Sequence, residues 1–326
     1  MKAIIRTKKG ADFSNMEVKE LPSPTPGPRQ IKIKVAASRV NPVDQGLMKG
    51  MPFLRYQHPQ IGGIDGSGTI LEVGGQVKRF QAGDEVFFYR KFTDIGTWAE
   101  EILLDAQDAA LVPQALSLEE AGAVALPMLT AWDALTQLKA QSGESILIHG
   151  AGGGVGFQAV QLARQLGLEV LATAGERDMA DLRKVGVSRI FNYKTEDFSL
   201  LLEAGELDYI FDVLGGEVLS KSIGLRPKKI VSTSLPNPGT MHKTGIRLPG
   251  ILKWVMKLAN GKFTRPAKKL GVELFGQVTG PHGSLMEEAS KLAGNHHQVR
   301  PYPTLSLAQI EQAGMAGTRV GTVITF

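Results

Sequence analysis

The sequence predicts an α/β protein in which a β-rich domain is joined to a doubly wound parallel sheet. Three observations carry this reading. The first third of the chain is built of short alternating segments between turn signals, as in "QIKIKVAAS" (Gln30 to Ser38). After Gly143 the pattern switches to strand and helix in alternation, the signature of parallel strands with crossover helices. At that switch lies "GAGGGVG", a glycine cluster between an apolar run and a segment with apolar residues at helical spacing.

The elements follow in order. "MKAIIRTKKGADF" alternates like a strand, and "LPSPTPGPRQ" holds four prolines in ten residues, so it is extended connection. "GSGTILEVG" and "GDEVFFY" read as strands between Gly-rich turns. Ser117 followed by Glu120 resembles a capping box opening the helix of "LSLEEAGAVALPMLTAWDALTQL". "SILIHG", "LEVLATA", "DYIFDVLG" and "KKIVSTS" read as strands, with helices over "GFQAVQLARQLG" and "RDMADLRKVG". Residues 236–280 mix Gly, Pro and Lys among apolar residues and are expected to form a lid or substrate-facing segment. "SLMEEASKLAG" and "LSLAQIEQAG" read as helices, and "GTVITF" as a closing strand.

Composition narrows the function. A chain of 326 residues with 43% hydrophobic and 21% charged content suits two globular domains. With no cysteine, disulfides, thiolate nucleophiles and cysteine-ligated metal sites are excluded. The net charge of +5 is read as spread among acidic residues, without the concentrated stripe that nucleic acid requires, and favours anionic small molecules. The start lacks a signal-type apolar core and no run of 18 apolar residues occurs, so no membrane partner and a soluble, cytoplasmic protein are expected.

Three readings compete for the glycines: a phosphate-binding turn, a plain tight turn and a linker. The ordered flanks disfavour the linker. Ala151-x-Gly153-x-x-Gly156 is the dinucleotide fingerprint with its first glycine replaced by alanine, and it stands between strand and helix as that mechanism needs. Gly152, Gly153, Gly154 and Gly156 allow close backbone approach, while a helix starting near Val155 aims free N–H groups at a pyrophosphate. An NAD site usually carries Asp or Glu at the end of the second strand. Here Ala174 and Gly175 stand there, with Arg177 just beyond, which favours the 2'-phosphate of NADP(H). Glu176 opposes it unless it points to solvent, and Arg177 is alternatively an exposed helix-start residue.

Several stretches together resemble a known family: "NPVD" (Asn41 to Asp44), "GGIDGSGTILEVGGQVKRFQAGDEV", "GTWAEE", "LSLEEAGAVALPMLTAWDAL", "ILIHGAGGGVG" and "DVLGG". The chain resembles the zinc-independent quinone oxidoreductases of the medium-chain dehydrogenase/reductase superfamily, over nearly its whole length. The resemblance implies a GroES-like β-rich domain (1–120, completed by about 277–326) and a Rossmann doubly wound parallel-sheet domain (121–276), with NADPH and substrate held between them. Zinc-dependent relatives have a catalytic Cys near Asn41 and Gly-His-Glu where this chain has Gly63-Ile64-Asp65. The implied function is NADPH-dependent hydride transfer to a quinone or other activated double bond, such as an enone, without a metal. The alternatives are an alkenal or enoyl-thioester reductase of the same fold and a non-catalytic cofactor-binding protein.

By the same resemblance Asn41 faces the nicotinamide and the substrate oxygen, unless it only stabilises the turn before Pro42. Thr130 lies beside the nicotinamide, unless it is an ordinary helix residue. Tyr193 stands near the adenosine phosphate or packs at a strand end, and Ser232, Thr233 and Ser234 meet the nicotinamide end through backbone groups. A tyrosine common in relatives is Gly46 here, and Tyr56, beside Arg55, is the candidate substitute. The usual Gly-Lys near the C-terminus is Gly321-Thr322, with Arg319 nearby. A homodimer through an edge strand is implied. His296 and His297 are expected in a solvated loop, His149 in sheet packing, and Asp208 and Asp212 as strand-end caps.

Overall fold

The computed structural model describes residues 1–7, 13–50, 60–94 and 96–326. The chain divides into two units, Met1–Leu126 with Thr244–Ile246 and Gly280–Phe326, and Pro127–Lys243 with Arg247–Thr279. The first division falls inside a helix, six residues beyond the expected 120.

The first unit contains β1 (Lys2–Arg6), β2 (Met16–Glu20), β3 (Gln30–Arg39), β4 (Gln60–Ile61), β5 (Asp65–Val73), β6 (Glu85–Tyr89), β7 (Glu101–Asp105) and β8 (Ala109–Leu111). Strand β3 is the spine. It pairs antiparallel with β5, with β7 and with the C-terminal strand Val323–Thr325. Its alternation sends Ile31, Ile33, Val35 and Ala37 into the core. Just after β3 the chain turns into α1 (Pro42–Lys49), a helix that the Asn-Pro pair had suggested only as a turn. Pro42 occupies a first-turn position, where its missing N–H costs nothing, and the Asn41 N–H donates to the Asp44 carboxylate at 2.7 Å.

Helix α2 (Leu118–Leu138) opens with the expected reciprocal cap: the Ser117 N–H donates to Glu120 at 2.9 Å and the Glu120 N–H to Ser117 Oγ at 3.3 Å. Pro127 lies inside this helix. Without an N–H it cannot bond the Ala123 carbonyl one turn back, and the Arg39 guanidinium donates to that carbonyl instead, at 3.0 Å.

The second unit is a six-stranded parallel sheet of β9 (Ser145–Ile148), β10 (Glu169–Ala174), β11 (Arg189–Asn192), β12 (Tyr209–Asp212), β13 (Lys229–Ser232) and β14 (Glu273–Gly276). The order is β11-β10-β9-β12-β13-β14. Helices α3 (Gly154–Gln165), α4 (Glu176–Lys184), α5 (Phe198–Leu201), α6 (Gly216–Gly224) and α7 (Gly250–Lys269) make the connections. The strand order reverses between β9 and β12, so the carboxyl ends of these strands bound the crevice where such sheets take their ligands. Leu147, Phe191, Ile210, Leu219, Ile230 and Phe263 form the core under that edge.

Residues 236–280, expected to form a lid or substrate-facing segment, are more regular than their composition suggested. They contain the 20-residue helix α7 and the edge strand β14. Gly261 and Pro266 made the segment read as irregular, but Gly261 is covered by the Arg265 side chain of the same helix and Pro266 lies in the last turns, so both are accommodated. The expected interspersion of charges also fails here: from Val218 to Val272 there is no Asp or Glu. No helix among the described residues is long and apolar enough to cross a membrane.

Candidate dinucleotide site and a buried carboxyl cluster

The glycine turn leaves β9 at Gly150, whose φ of +66° suits glycine. The Gly153 N–H donates back to the Gly150 carbonyl at 2.9 Å, and the Ala151 N–H donates to the Thr173 carbonyl at 3.1 Å, closing the turn onto β10. Gly156, on the first turn of α3, lies so close to Gly150 that a Cβ there would strike the Gly150 carbonyl and the Ala151 Cα. Gly153 caps α3 with no side chain, leaving the N–H groups of Gly154 and Val155 for a ligand. A cradle that a Cβ would fill, at the positive end of a 12-residue helix, fits a pyrophosphate.

At the adenosine end β10 finishes at Ala174 and α4 starts after Gly175, so no carboxylate ends the strand. Tyr193 follows β11, and its ring lies 3.5 Å from where a Gly175 Cβ would stand, which brings the two strand ends together. The tyrosine is 63% exposed. Glu176 is exposed, and the Arg177 side chain is 89% exposed while touching Asp178 at 3.3 Å. Asp178 was not anticipated: it is buried, and a Cβ on Gly152 would strike its carboxylate. No local pattern points to that contact, because it joins a turn and a helix 26 residues apart.

At the other end, Ser232 closes β13 and donates to Asp212 at 2.6 Å, while Ser234 donates to the same oxygen at 3.2 Å. Asp212 also accepts the Leu214 and Gly215 N–H groups, as the strand-end cap expected of it. Both serine hydroxyls are therefore engaged, which leaves backbone groups around Thr233 for a ligand. The Gln277 N–H donates to the Ser232 carbonyl, and its amide donates to the Thr130 carbonyl at 3.1 Å. Gln277, also unanticipated, so joins Thr130 on α2 to the Ser232–Ser234 turn. Its Oε1 is buried with no partner among the described residues.

In the first unit, Asn41 spends both amide hydrogens, on Asp65 at 2.9 Å and on the Arg39 carbonyl at 3.2 Å. Asp65 also accepts the Leu126 N–H at 3.2 Å, near the helix irregularity at Pro127. Burial pushes its carboxyl up to about 7, against the opposing pull of Leu126, Arg39 and Asn41. Asp44 is raised well above the usual carboxylate range by burial and by the neighbouring Asp65 charge. Ile64, beside Asp65, is fully buried.

The remaining candidates are scattered. Tyr56 and Arg55 lie outside the described residues. His149 is buried between Thr173 and Ser222, 3.1 and 2.9 Å from their hydroxyls, and burial pushes it down to about 4, so it is neutral. His297 is a correction: far from being solvated it is buried, and burial lowers its imidazole to about 4. A polar loop sequence carried no sign of that packing. Arg319 is exposed. Among the described residues no three His, Cys, Asp or Glu side chains are grouped to hold a metal ion.

A GroES-like unit and a Rossmann unit with a glycine-turn cradle in one chain define the medium-chain dehydrogenase/reductase class. Residues 27–114 match the alcohol dehydrogenase GroES-like domain. The chain is 34% identical over 234 residues to the quinone oxidoreductase of Mus musculus, covering 68% of this chain and 70% of that one. The Homo sapiens quinone oxidoreductase is 33% identical over 232 residues, with the same shares covered. A solved quinone oxidoreductase from Coxiella burnetii superposes with a TM-score of 0.80 at 27% identity, covering 100% of this chain and 99% of that one. The chain belongs to the quinone oxidoreductase family of this superfamily.

Two outcomes test the geometry. Gly156→Ala forces α3 away from β9 and costs roughly 1–3 kcal/mol in urea unfolding, with weakened dinucleotide binding; an unchanged midpoint would refute the close approach. Asp65 has a raised folded pKa, so its contribution is present at low pH and is lost as pH rises through about 7. Relative to Asp65→Asn, the parent chain loses up to roughly 4 kcal/mol between pH 4 and 7 and is level above pH 8, as read by urea unfolding. A pH-independent difference would sink the assignment.

Proposed function

We propose that the protein is an NADPH-dependent reductase that delivers a hydride to a quinone or other activated, electron-poor double bond without a metal. Family membership supports the reductase. The observation that carries the cofactor choice is the end of β10, where Ala174 and Gly175 offer no ribose-binding carboxylate and the cationic Arg177 is exposed beside them. When bound, NADPH supplies the hydride. The N–H groups of Gly154 and Val155 hold its pyrophosphate, with Ala151, Gly152, Gly153 and Gly156 giving the room. Arg177 and Tyr193 hold the 2'-phosphate end. Thr130, the backbone of Ser232, Thr233 and Ser234, and the unpartnered Gln277 Oε1 orient the nicotinamide and its carboxamide.

The donor set does not fit a catalytic zinc: there is no cysteine, and Ile64 stands where zinc-dependent relatives have histidine. A quinone or enone suits such a site, since the arriving charge spreads to a distal oxygen that hydrogen-bond donors can stabilise. For Asn41 to donate to that oxygen, it must release one amide hydrogen from Asp65 or from the Arg39 carbonyl. Asp178 beside Gly152 is the observation that favours a second reading, with NADH as cofactor, because a carboxylate is the usual ribose ligand.

Fluorescence titration is expected to show NADPH binding at least roughly tenfold tighter than NADH, and Arg177→Ala to weaken only NADPH. Tighter NADH binding would overturn the cofactor choice. With NADPH, quinones, alkenals, enones and enoyl thioesters are assayed in parallel, and turnover of quinones or enones is expected; turnover of simple alcohols alone would refute the reaction. A homodimer through β14, whose outer edge is unpaired in its sheet, predicts by light scattering the mass of two chains, and a single-chain mass excludes it.

A further inference from the structure

Helix α7 turns two unlike faces to its surroundings. Phe263 and Ala267 are buried in the core of its own unit. On the opposite side Ile251, Trp254, Val255 and Leu258 are 77%, 61%, 48% and 48% exposed. Their spacing of three, four and seven residues places them in one stripe along the first half of the helix. A single exposed apolar residue is ordinary, but four in register form a patch that calls for a partner. The same side continues into the second half with Lys262, Arg265 and Lys269, all exposed.

The charge around the stripe narrows the partner. Helix α7 contains six Lys or Arg residues and no acidic one. It lies within Val218–Val272, which holds twelve of the 37 Lys and Arg and none of the 32 Asp and Glu, although Lys221, Lys228 and Lys229 pair with Asp197, Glu144 and Glu273 from outside that segment. A two-fold contact between copies would set these cations against one another. Nucleic acid would use the cations and leave Ile251, Val255 and Leu258 without a role. An anionic bilayer surface answers both: apolar side chains enter the boundary between headgroups and acyl chains, and long Lys and Arg stems keep their charges at the headgroups.

We propose that α7 docks the protein onto an anionic lipid surface, lying in the plane of the interface with Ile251, Trp254, Val255 and Leu258 inserted. Helix α7 is about 30 Å long, enough to rest on a surface, and it is too charged to cross one. This departs from the expectation of no membrane partner, which rests on the lack of a signal-type apolar core and of a spanning run. It does not depend on which cofactor or substrate the enzyme uses.

The test uses the full-length protein and vesicles of phosphatidylcholine alone or with about one-third phosphatidylglycerol. Co-sedimentation is expected to be at least roughly tenfold stronger with the anionic vesicles and to fall as salt rises. Trp254 is the strongly exposed indole, since Trp98 is fully buried and Trp132 half-buried, so a blue shift of emission with anionic vesicles that is lost in Trp254→Phe reports insertion. Ile251→Ser with Leu258→Ser, and separately Lys262→Glu with Lys269→Glu, are each expected to reduce binding roughly tenfold, with unchanged circular dichroism and reductase activity. The proposal fails if the anionic vesicles do not bind at low salt. It also fails if neither variant changes binding, if duplex DNA binds more tightly than the vesicles, or if Trp254 in the free protein is shielded from acrylamide in a dimer.

Discussion

The contact on which the second unit depends is the approach of α3 to the end of β9, where Gly156 passes over the Gly150 carbonyl with no room for a Cβ. That one clearance lets a helix start immediately after the strand. Its first N–H groups then face the switch point between β9 and β12, the place where the sheet's order opens a crevice. Had Gly156 carried a side chain, α3 would start further out and its dipole would point elsewhere. The cradle therefore follows from a steric allowance.

The first unit is organised around a different constraint. Pro127 deprives Ala123 of its helical donor, and Arg39 supplies one. The guanidinium that does so also faces Asp65, which is buried and held by Asn41 and Leu126. A helix defect, a half-buried cation and a buried carboxyl are thus mutually compensating, and removing any one leaves another without its partner. Asn41 sits in the middle of this network. Its amide is oriented by Asp65 and by the Arg39 carbonyl.

The strands and the glycine turn were legible because they are local: alternation, apolar runs and a short motif are all read within a dozen residues. The Ser117–Glu120 cap was legible for the same reason. Helix α7 was not, since Gly261 and Pro266 are helix-breaking on average and only the packing of Phe263 and Ala267 reveals their tolerance. Asp178 and Gln277 were missed because each acts through partners far off in the chain, Gly152 for one and Thr130 and Ser232 for the other. His297 was misjudged on composition alone, which reports what a loop is made of and nothing of what covers it.

The segregation of charge around α7 has a consequence beyond contact itself. With twelve cations and no carboxylate in Val218–Val272, the other 271 residues carry seven more negative than positive charges. A net charge of +5 conceals this division. Near an anionic surface the protein feels a torque as well as an attraction, since one segment is drawn in while the remainder is pushed away. Orientation is then selected during approach, over a distance of about one Debye length, before any side chain touches.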